Sequence, residues 1–153
     1  MEKIAKIRRS RRKGGKKFNM AIKYRKTKIL KAEDLTNLFN SVGWIEESAR
    51  YPNRLENAIY NSSTVFSAWD GNKLVGLLSA LDDTMHAYGI YLLVDPIYQN
   101  LGIGKMLFLM FDEHYSDYKK EFKTEKMQKY YERFGYKVDS VGMVKNDLPD
   151  YDI

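Results

Sequence analysis

The order of hydrophobic periods along this chain predicts one α/β domain with a mixed sheet, antiparallel on its N-terminal side. Three observations carry that expectation. Asp70-Gly71-Asn72 joins two β-rich runs, which is a hairpin signal. Leu35, Leu38, Phe39 and Val42 recur at helical spacing, and so do Ile103, Leu107, Met110 and His114. The β-rich run from Tyr88 to Val94 passes through Pro96 into the second of these helices, so strands and helices alternate in the C-terminal half.

The elements follow in the order β-α-α-β-β-β-α-β-α-β. "AIKYRKTKIL" (21–30) alternates apolar and basic residues, as an edge strand does. "KAEDLTNLFNSVGW" (31–44) is a helix that Gly43 stops. Pro52 breaks the chain, and "NRLENAIYNSS" (53–63) is a short helix with Leu55, Ile59 and Ala58 facing inward. The hairpin and the strand "HAYGIYLLVDP" (86–96) come next, then the helix "GIGKMLFLMFDEHYS" (102–116). "YKKEFKTE" (118–125) is a further strand, "KMQKYYERFG" (126–135) a helix ended by Gly135, and "YKVDSVGMVKND" (136–147) a last strand. No internal repeat is present.

A length of 153 residues suits a single core. No run of apolar residues is long enough to span a membrane, and the N-terminus lacks the apolar stretch of a secretory signal. Zero cysteines exclude disulfides, thiolate metal sites and a cysteine nucleophile, and two histidines, His86 and His114, argue against a histidine metal cage. The default expectation is a soluble cytoplasmic protein. The net charge of +6 is unevenly spread. Residues 1–20 hold nine Lys/Arg and one Glu, while the remaining 133 hold 17 Lys/Arg and 19 Asp/Glu. The chain therefore divides into a basic tail, 1–20, and a nearly neutral domain, 21–153. Such a tail fits weak, nonspecific attraction to nucleic acid, ribosome or membrane surface, and it equally fits a solvated extension or a leader ahead of Met20. It holds a single aromatic, so it lacks stacking residues for bases.

The segment "YQNLGIGKML" (98–107) places two glycines at the mouth of an apolar helix. A helix N-terminus exposes unpaired N–H groups and partial positive charge, and glycines there let an anion approach the backbone. A phosphate-binding P-loop would need glycine at position 99 and Ser/Thr at 106, where Gln99 and Met106 stand. A dinucleotide fingerprint would need a third glycine at 107, where Leu107 stands. A lone Gly-x-Gly also fits a helix start whose glycines serve packing.

The neighbouring residues extend the pattern. Val94-x-Pro96-x-Tyr98-Gln99-x-x-Gly102-Ile103-Gly104-Lys105, followed about 30 residues later by "YYERFGY" (130–136), resembles the paired motifs of the GNAT superfamily of acetyl-CoA-dependent N-acetyltransferases. The resemblance covers roughly residues 21–145. It implies a GNAT fold: a central, mostly antiparallel sheet, splayed at the strand before the glycine turn and flanked by about four helices. It implies acetyl-CoA as cosubstrate and no metal. The pyrophosphate would lie on the backbone of Gln99, Asn100, Leu101, Gly102, Ile103, Gly104 and Lys105. The pantetheine arm would pair with Leu92, Leu93 and Val94, and an N–H near Leu93 would polarise the thioester carbonyl. Tyr131 matches the family's general acid to the departing thiolate; it also fits a core or surface tyrosine.

The base is not legible. Relatives that use histidines on this strand have them where Tyr88 and Ile90 stand here; Asp82, Asp83, Glu46 and Glu47 are candidates through a water, and each also fits a solvated loop acid. His86 reads as a strand-end residue, and His114 as a cation suited to a helix C-terminus. Many relatives touch the pantetheine with an Asn where Thr124 stands, in a short loop "KTEKMQ". The loop "SVGWIEESARYPNRL" (41–55), with Trp44, Tyr51, Glu46 and Glu47, suggests a primary amine acceptor with an apolar body. The expected activity is acetyl transfer to a small amine. The alternatives are transfer to a protein amine, such as one on a ribosomal protein, and nucleic-acid or ribosome binding through the tail. A homodimer accords with the resemblance.

Overall fold

The computed structural model describes residues 21–44, 54–124, 126–140 and 142–145, together with the backbone of 3–6. Strands β1 (Lys3–Lys6), β2 (Ala21–Lys26), β3 (Thr64–Asp70), β4 (Lys73–Asp82), β5 (His86–Val94) and β6 (Lys119–Phe122) form one sheet in that order. Every pair is antiparallel except β5 with β6, which is parallel. The helices are α1 (Ala32–Ser41), α2 (Arg54–Tyr60), α3 (Ile103–His114) and α4 (Gln128–Glu132).

The sheet is covered on both faces. On one face α1 and α2 bring Leu35, Leu38, Phe39, Leu55 and Ile59 onto Val65, Trp69, Leu77 and Leu93. On the other, α3 lays Ile103, Leu107, Met110 and Phe111 on Phe66, Val75, Leu78 and Ala80. Alternation assigns each strand residue to one of these layers. Turn chemistry sets the connections. Gly71 takes φ +57° in the two-residue turn where Asp70 pairs Lys73. Gly43, at φ +81°, ends α1: its N–H donates to the Asn40 carbonyl at 3.0 Å, and the Trp44 N–H donates to that of Phe39, also at 3.0 Å. This pair of bonds folds Trp44 back onto the helix it leaves.

Four details differ from the sequence reading. β2 is not the edge, because β1 pairs with its outer side, drawing part of the basic tail into the sheet. Ala58 is exposed, since only Leu55 and Ile59 of α2 reach the core. Residues 136–140 and 142–145 form no strand. Tyr136 packs on Phe108 and Phe122, but the aliphatic members stay in solvent, with Val138 71%, Met143 97% and Val144 68% exposed, so beyond Tyr136 the alternation has no layer to bury into. His114 does not serve as a helix-end cation. Burial, and then the Lys26 ammonium, whose Nζ donates to Nδ1 at 3.3 Å, hold its pKa below the usual histidine value.

Candidate active site

The strand before the glycine turn is paired on one side along nearly its whole length and on the other for less than half of it. The β4 ladder runs from Val94 to Ala87. The β6 ladder holds only His86 to Gly89, against Lys119 to Phe122. From Ile90 to Val94 the β6-facing edge of β5 is therefore open, and the sheet forks after Gly89. A Cβ on Gly89 would lie 1.9 Å from the Phe122 ring, so this closest pair of the ladder needs glycine.

Hydrogen-bond parity shows which amides face the opening. The Asp95 N–H donates to the Val75 carbonyl at 2.9 Å. Alternation then turns the amides of Leu93 and Tyr91 toward β4, and those of Leu92 and Val94 toward the open side. The Val94 carbonyl is held there by the Gln99 side chain, whose Nε2 donates at 3.0 Å. Of the amides around Leu93, where a polarising N–H is expected, it is therefore Leu92 and Val94 that face the open side.

The glycine turn is firmly anchored. Asp95 is buried; its carboxylate accepts from the Ile97 N–H at 3.0 Å and pairs with Lys73 at 3.2 Å. The Tyr98 hydroxyl donates to Asp70 at 2.7 Å. Beyond these ties, Asn100 (φ +62°) and Gly102 (φ +83°) turn the chain left-handed into α3, and no side chain caps this 12-residue helix. The first intrahelical bond is from the Met106 N–H to the Gly102 carbonyl at 3.0 Å, which leaves the amides of Ile103, Gly104 and Lys105 as the helix's unpaired donors.

α4 closes over this end. Tyr131 stacks on Phe122 at 4.9 Å, and Phe134 packs on Phe108 at 4.4 Å. The Tyr130 hydroxyl comes within 3.4 Å of the point a Gly104 Cβ would occupy, with Val94 on the other side of that point. It is buried and makes no hydrogen bond. Such a donor costs about 1–3 kcal/mol unless something accepts from it, so the residues fit an acceptor-rich group lying between β5 and the start of α3. Burial pushes the Tyr131 phenol up to about 12, with Tyr130 beside it adding to the rise.

A cavity of about 960 Å³ opens at the fork. Tyr88 and Ile90 line it from β5, Glu121 and Phe122 from β6, and Tyr131 and Tyr136 from the segment above. Phe122 belongs to the α3 face, because it packs on Phe108 and Phe111. Alternation places Glu121, and Tyr88 opposite it, on the α1 face. The cavity therefore joins the two faces of the sheet around the end of the parallel ladder. Tyr131 lines it, while the glycine turn and Leu92–Val94 adjoin it along β5.

The expected bases lie elsewhere or outside the described residues. Asp82 accepts from the Tyr115 hydroxyl at 2.9 Å, at the far end of β4. Asp83 accepts from the His86 and Met85 backbone N–H groups and from the His86 ring, which together hold it down at about 2. Glu46, Glu47 and Tyr51 lie outside the described residues. Trp44 is described, and stands 6.1 Å from Tyr91 and 5.9 Å from Phe39, forming an aromatic group on the α1 face of β5. Thr124 is engaged locally, accepting from the Met127 N–H at 2.9 Å ahead of α4. Sequence reasoning missed Glu121 and Tyr130. The fork register that matters for Glu121 has no sequence signal, and Tyr130 was overshadowed by its motif-bearing neighbour. Among the described residues no group of His, Asp and Glu could hold a metal, and no helix is long and apolar enough to cross a membrane.

Comparison with known proteins bears on the family and the fold. A GNAT-family acetyltransferase from Streptococcus pneumoniae TIGR4 is similar over 82% of this chain and 98% of its own, at 29% identity and a TM-score of 0.70. A probable acetyltransferase from methicillin-resistant Staphylococcus aureus matches with the same coverage and TM-score at 18% identity. An aminoglycoside acetyltransferase from an uncultured soil metagenomic sample, solved in complex with sisomicin, shares the fold at 22% identity and a TM-score of 0.54, covering 82% of this chain and 95% of its own. No curated protein sequence matches. The family described as acetyltransferase (GNAT) domain matches residues 61–138, which is just over half of the chain and holds β4, the fork, the glycine turn and Tyr131. The chain belongs to the GNAT acetyltransferase family.

Proposed function

We propose that this protein transfers the acetyl group of acetyl-CoA to a primary amine of a small molecule. The carrying observation is the continuous line of unpaired donors that ends at a cavity: the first amides of α3, the Tyr130 hydroxyl, the open edge of β5, then the fork. The pyrophosphate lies on the backbone of Gln99 to Lys105, where the helix start supplies N–H groups and positive potential. The pantetheine arm follows Leu92 to Val94 as an added strand would. Thr124 is already spent on a backbone amide, so Tyr130 supplies the side-chain contact to that arm.

At the fork the amine, once neutral, adds to the thioester carbonyl, and the N–H of Leu92 or Val94 stabilises the oxygen as its charge grows. As the tetrahedral centre collapses, the C–S bond breaks and the amide forms. Of the two protons the ammonium must shed, one ends on sulfur and one leaves to solvent. Tyr131 lies in this cavity. With its pKa near 12 it stays protonated throughout the neutral range. A thiol titrates near 8.5, so the phenol stabilises the departing sulfur chiefly by donating a hydrogen bond as charge appears.

Thermal unfolding with and without acetyl-CoA tests the reading, repeated with Gly104→Glu. A ligand present at 100 times its Kd and bound only by the folded chain adds about 2.7 kcal/mol, several degrees of Tm. Gly104 has helical backbone, and the substitution places an acidic side chain at a helix N-terminus, which that end tolerates. The variant should therefore fold with nearly the parent Tm but lose the acetyl-CoA shift. No shift in the parent at millimolar acetyl-CoA sinks the proposal.

A further inference from the structure

The cavity holds one feature that the cosubstrate does not use. Glu121 is the last residue of β6 on the α1 face before the sheet forks, and Tyr88 is its ladder partner. The ladder sets the two side chains next to each other on that face. The carboxylate is about a third exposed (32%), and both residues line the cavity. A carboxylate lining a ligand-sized space is an acceptor of cations. One is already against it: Lys119 Nζ, a primary alkylammonium, stands 3.4 Å from Oε1. Lys119 itself is 57% exposed and shared with Asp139 at 3.5 Å, so it can leave without losing a partner. Asp83 adds negative potential near Tyr88 from the β4–β5 turn. The surface beyond the carboxylate is apolar. Ile90 lines the cavity and is 46% exposed, and the Tyr91–Trp44 pair stands next along β5 on the α1 face.

We propose that Glu121, beside Tyr88 at the end of the parallel ladder, is the seat for the acceptor's ammonium group, and that the acceptor is a cationic primary amine whose apolar body lies past Ile90 toward Tyr91 and Trp44. This rests on the acetyltransferase reading above. The seat holds the nitrogen at the end of the fork, on the face opposite α3, so amine and thioester meet around the end of the parallel ladder rather than through the sheet. Lys119 competes with the substrate for the carboxylate and weakens its binding.

The test uses the full chain with CoA present, which allows no turnover, and 2-phenylethylamine as probe. The uncharged 2-phenylethanol and the body-less 2-aminoethanol serve as controls. The expected result is a rise in unfolding temperature with 2-phenylethylamine that neither control matches. In acetylation assays at saturating acetyl-CoA, Glu121→Gln should raise the KM for 2-phenylethylamine about tenfold, the scale of one charge-assisted contact. Lys119→Met should lower it. The acetyl-CoA thermal shift should persist in both variants. An unchanged KM in Glu121→Gln, a raised KM in Lys119→Met, or a parent that responds equally to 2-phenylethanol each overturns the seat. A parent with no acetyl-CoA shift overturns the acetyltransferase reading instead, which keeps the two failures apart.

Discussion

The two halves of the sheet are built to opposite rules. From β1 to β4 every strand has an antiparallel partner along its length, and β3 and β4 are buried on both faces except near their ends. From β5 onward the pairing is parallel, lasts four residues and stops, and the helix that covers the gap, α4, is only five residues long. The first half concentrates pairing and packing. Buried hydroxyls without a partner occur in both halves, Tyr24 and Ser79 in the first and Tyr130 and Tyr136 in the second; what the second alone adds is an open strand edge with its backbone donors and, beside it, a cavity. The difference teaches that rigidity and reactivity are divided along the sheet: the antiparallel part fixes β5, and the fork exposes the edge of β5 that a substrate can use.

If that division holds, substitutions in the two halves should fail in different ways. Phe66 lies in β3, 3% exposed. Phe66→Ala should cost about 4 kcal/mol of stability by leaving a cavity, read as a lower urea midpoint, while folded protein at low temperature keeps its KM for acetyl-CoA. A large KM change would mean that the halves are coupled. Tyr131→Phe should do the reverse: kcat falls about a hundredfold and the acetyl-CoA thermal shift stays. An unchanged kcat removes Tyr131 from the chemistry.

Alkaline pH reaches both halves. Tyr24, Tyr98, Tyr115 and Tyr131 are each pushed from 10 up to about 12, in every case chiefly by burial. The folded state therefore holds their protons more tightly than the unfolded chain does. The stability this confers is complete below pH 10 and is lost as pH rises from 10 toward 12. Unfolding temperatures should be level from pH 8 to 9.5 and fall above pH 10; a level profile to pH 11 contradicts the burial. The smallest effect is expected of Tyr130→Phe. Removing an unpartnered hydroxyl should leave the free protein equally stable or about 1 kcal/mol more so. The KM for acetyl-CoA should rise a few-fold with kcat unchanged. A loss of stability would show that the hydroxyl has a structural partner.

Much of this was legible because turn chemistry is local. Asp70-Gly71-Asn72 marked the hairpin, and Gly43 and Gly135 marked two helix ends where the structure has φ of +81° and +85°. Gly102 marked the entry to α3, at φ +83°. The site was legible to the extent that it is backbone: a strand, a proline and two glycines. What escaped depends on register between distant segments. Nothing in "KKEF" reveals that Glu121 will stand opposite Tyr88, and nothing in "YYERF" reveals that Tyr130 will reach Gly104 while Tyr131 faces the cavity. The last strand failed for a related reason. Alternation in 136–147 states which residues would share a face, but beyond Tyr136 the described part of that segment has no layer against it.

The register slip in β5 joins these observations. Ser79 pairs Tyr91 and Ala80 pairs Gly89, so Ile90 has no partner of its own on β4. One unopposed residue is a half-period of a pleated strand. Below it the strand is in phase with the buried ladder, with Leu92 toward α3 and Tyr91 toward α1. Above it the phase is inverted, and Gly89 meets Phe122 while Tyr88 stands opposite Glu121. Ile90 thus works as a phase shifter between a strand that is read by its backbone and a strand that is read by its side chains. Deleting that single residue would leave the composition of the site almost untouched, yet would exchange the faces of every group between the β4–β5 turn and the fork.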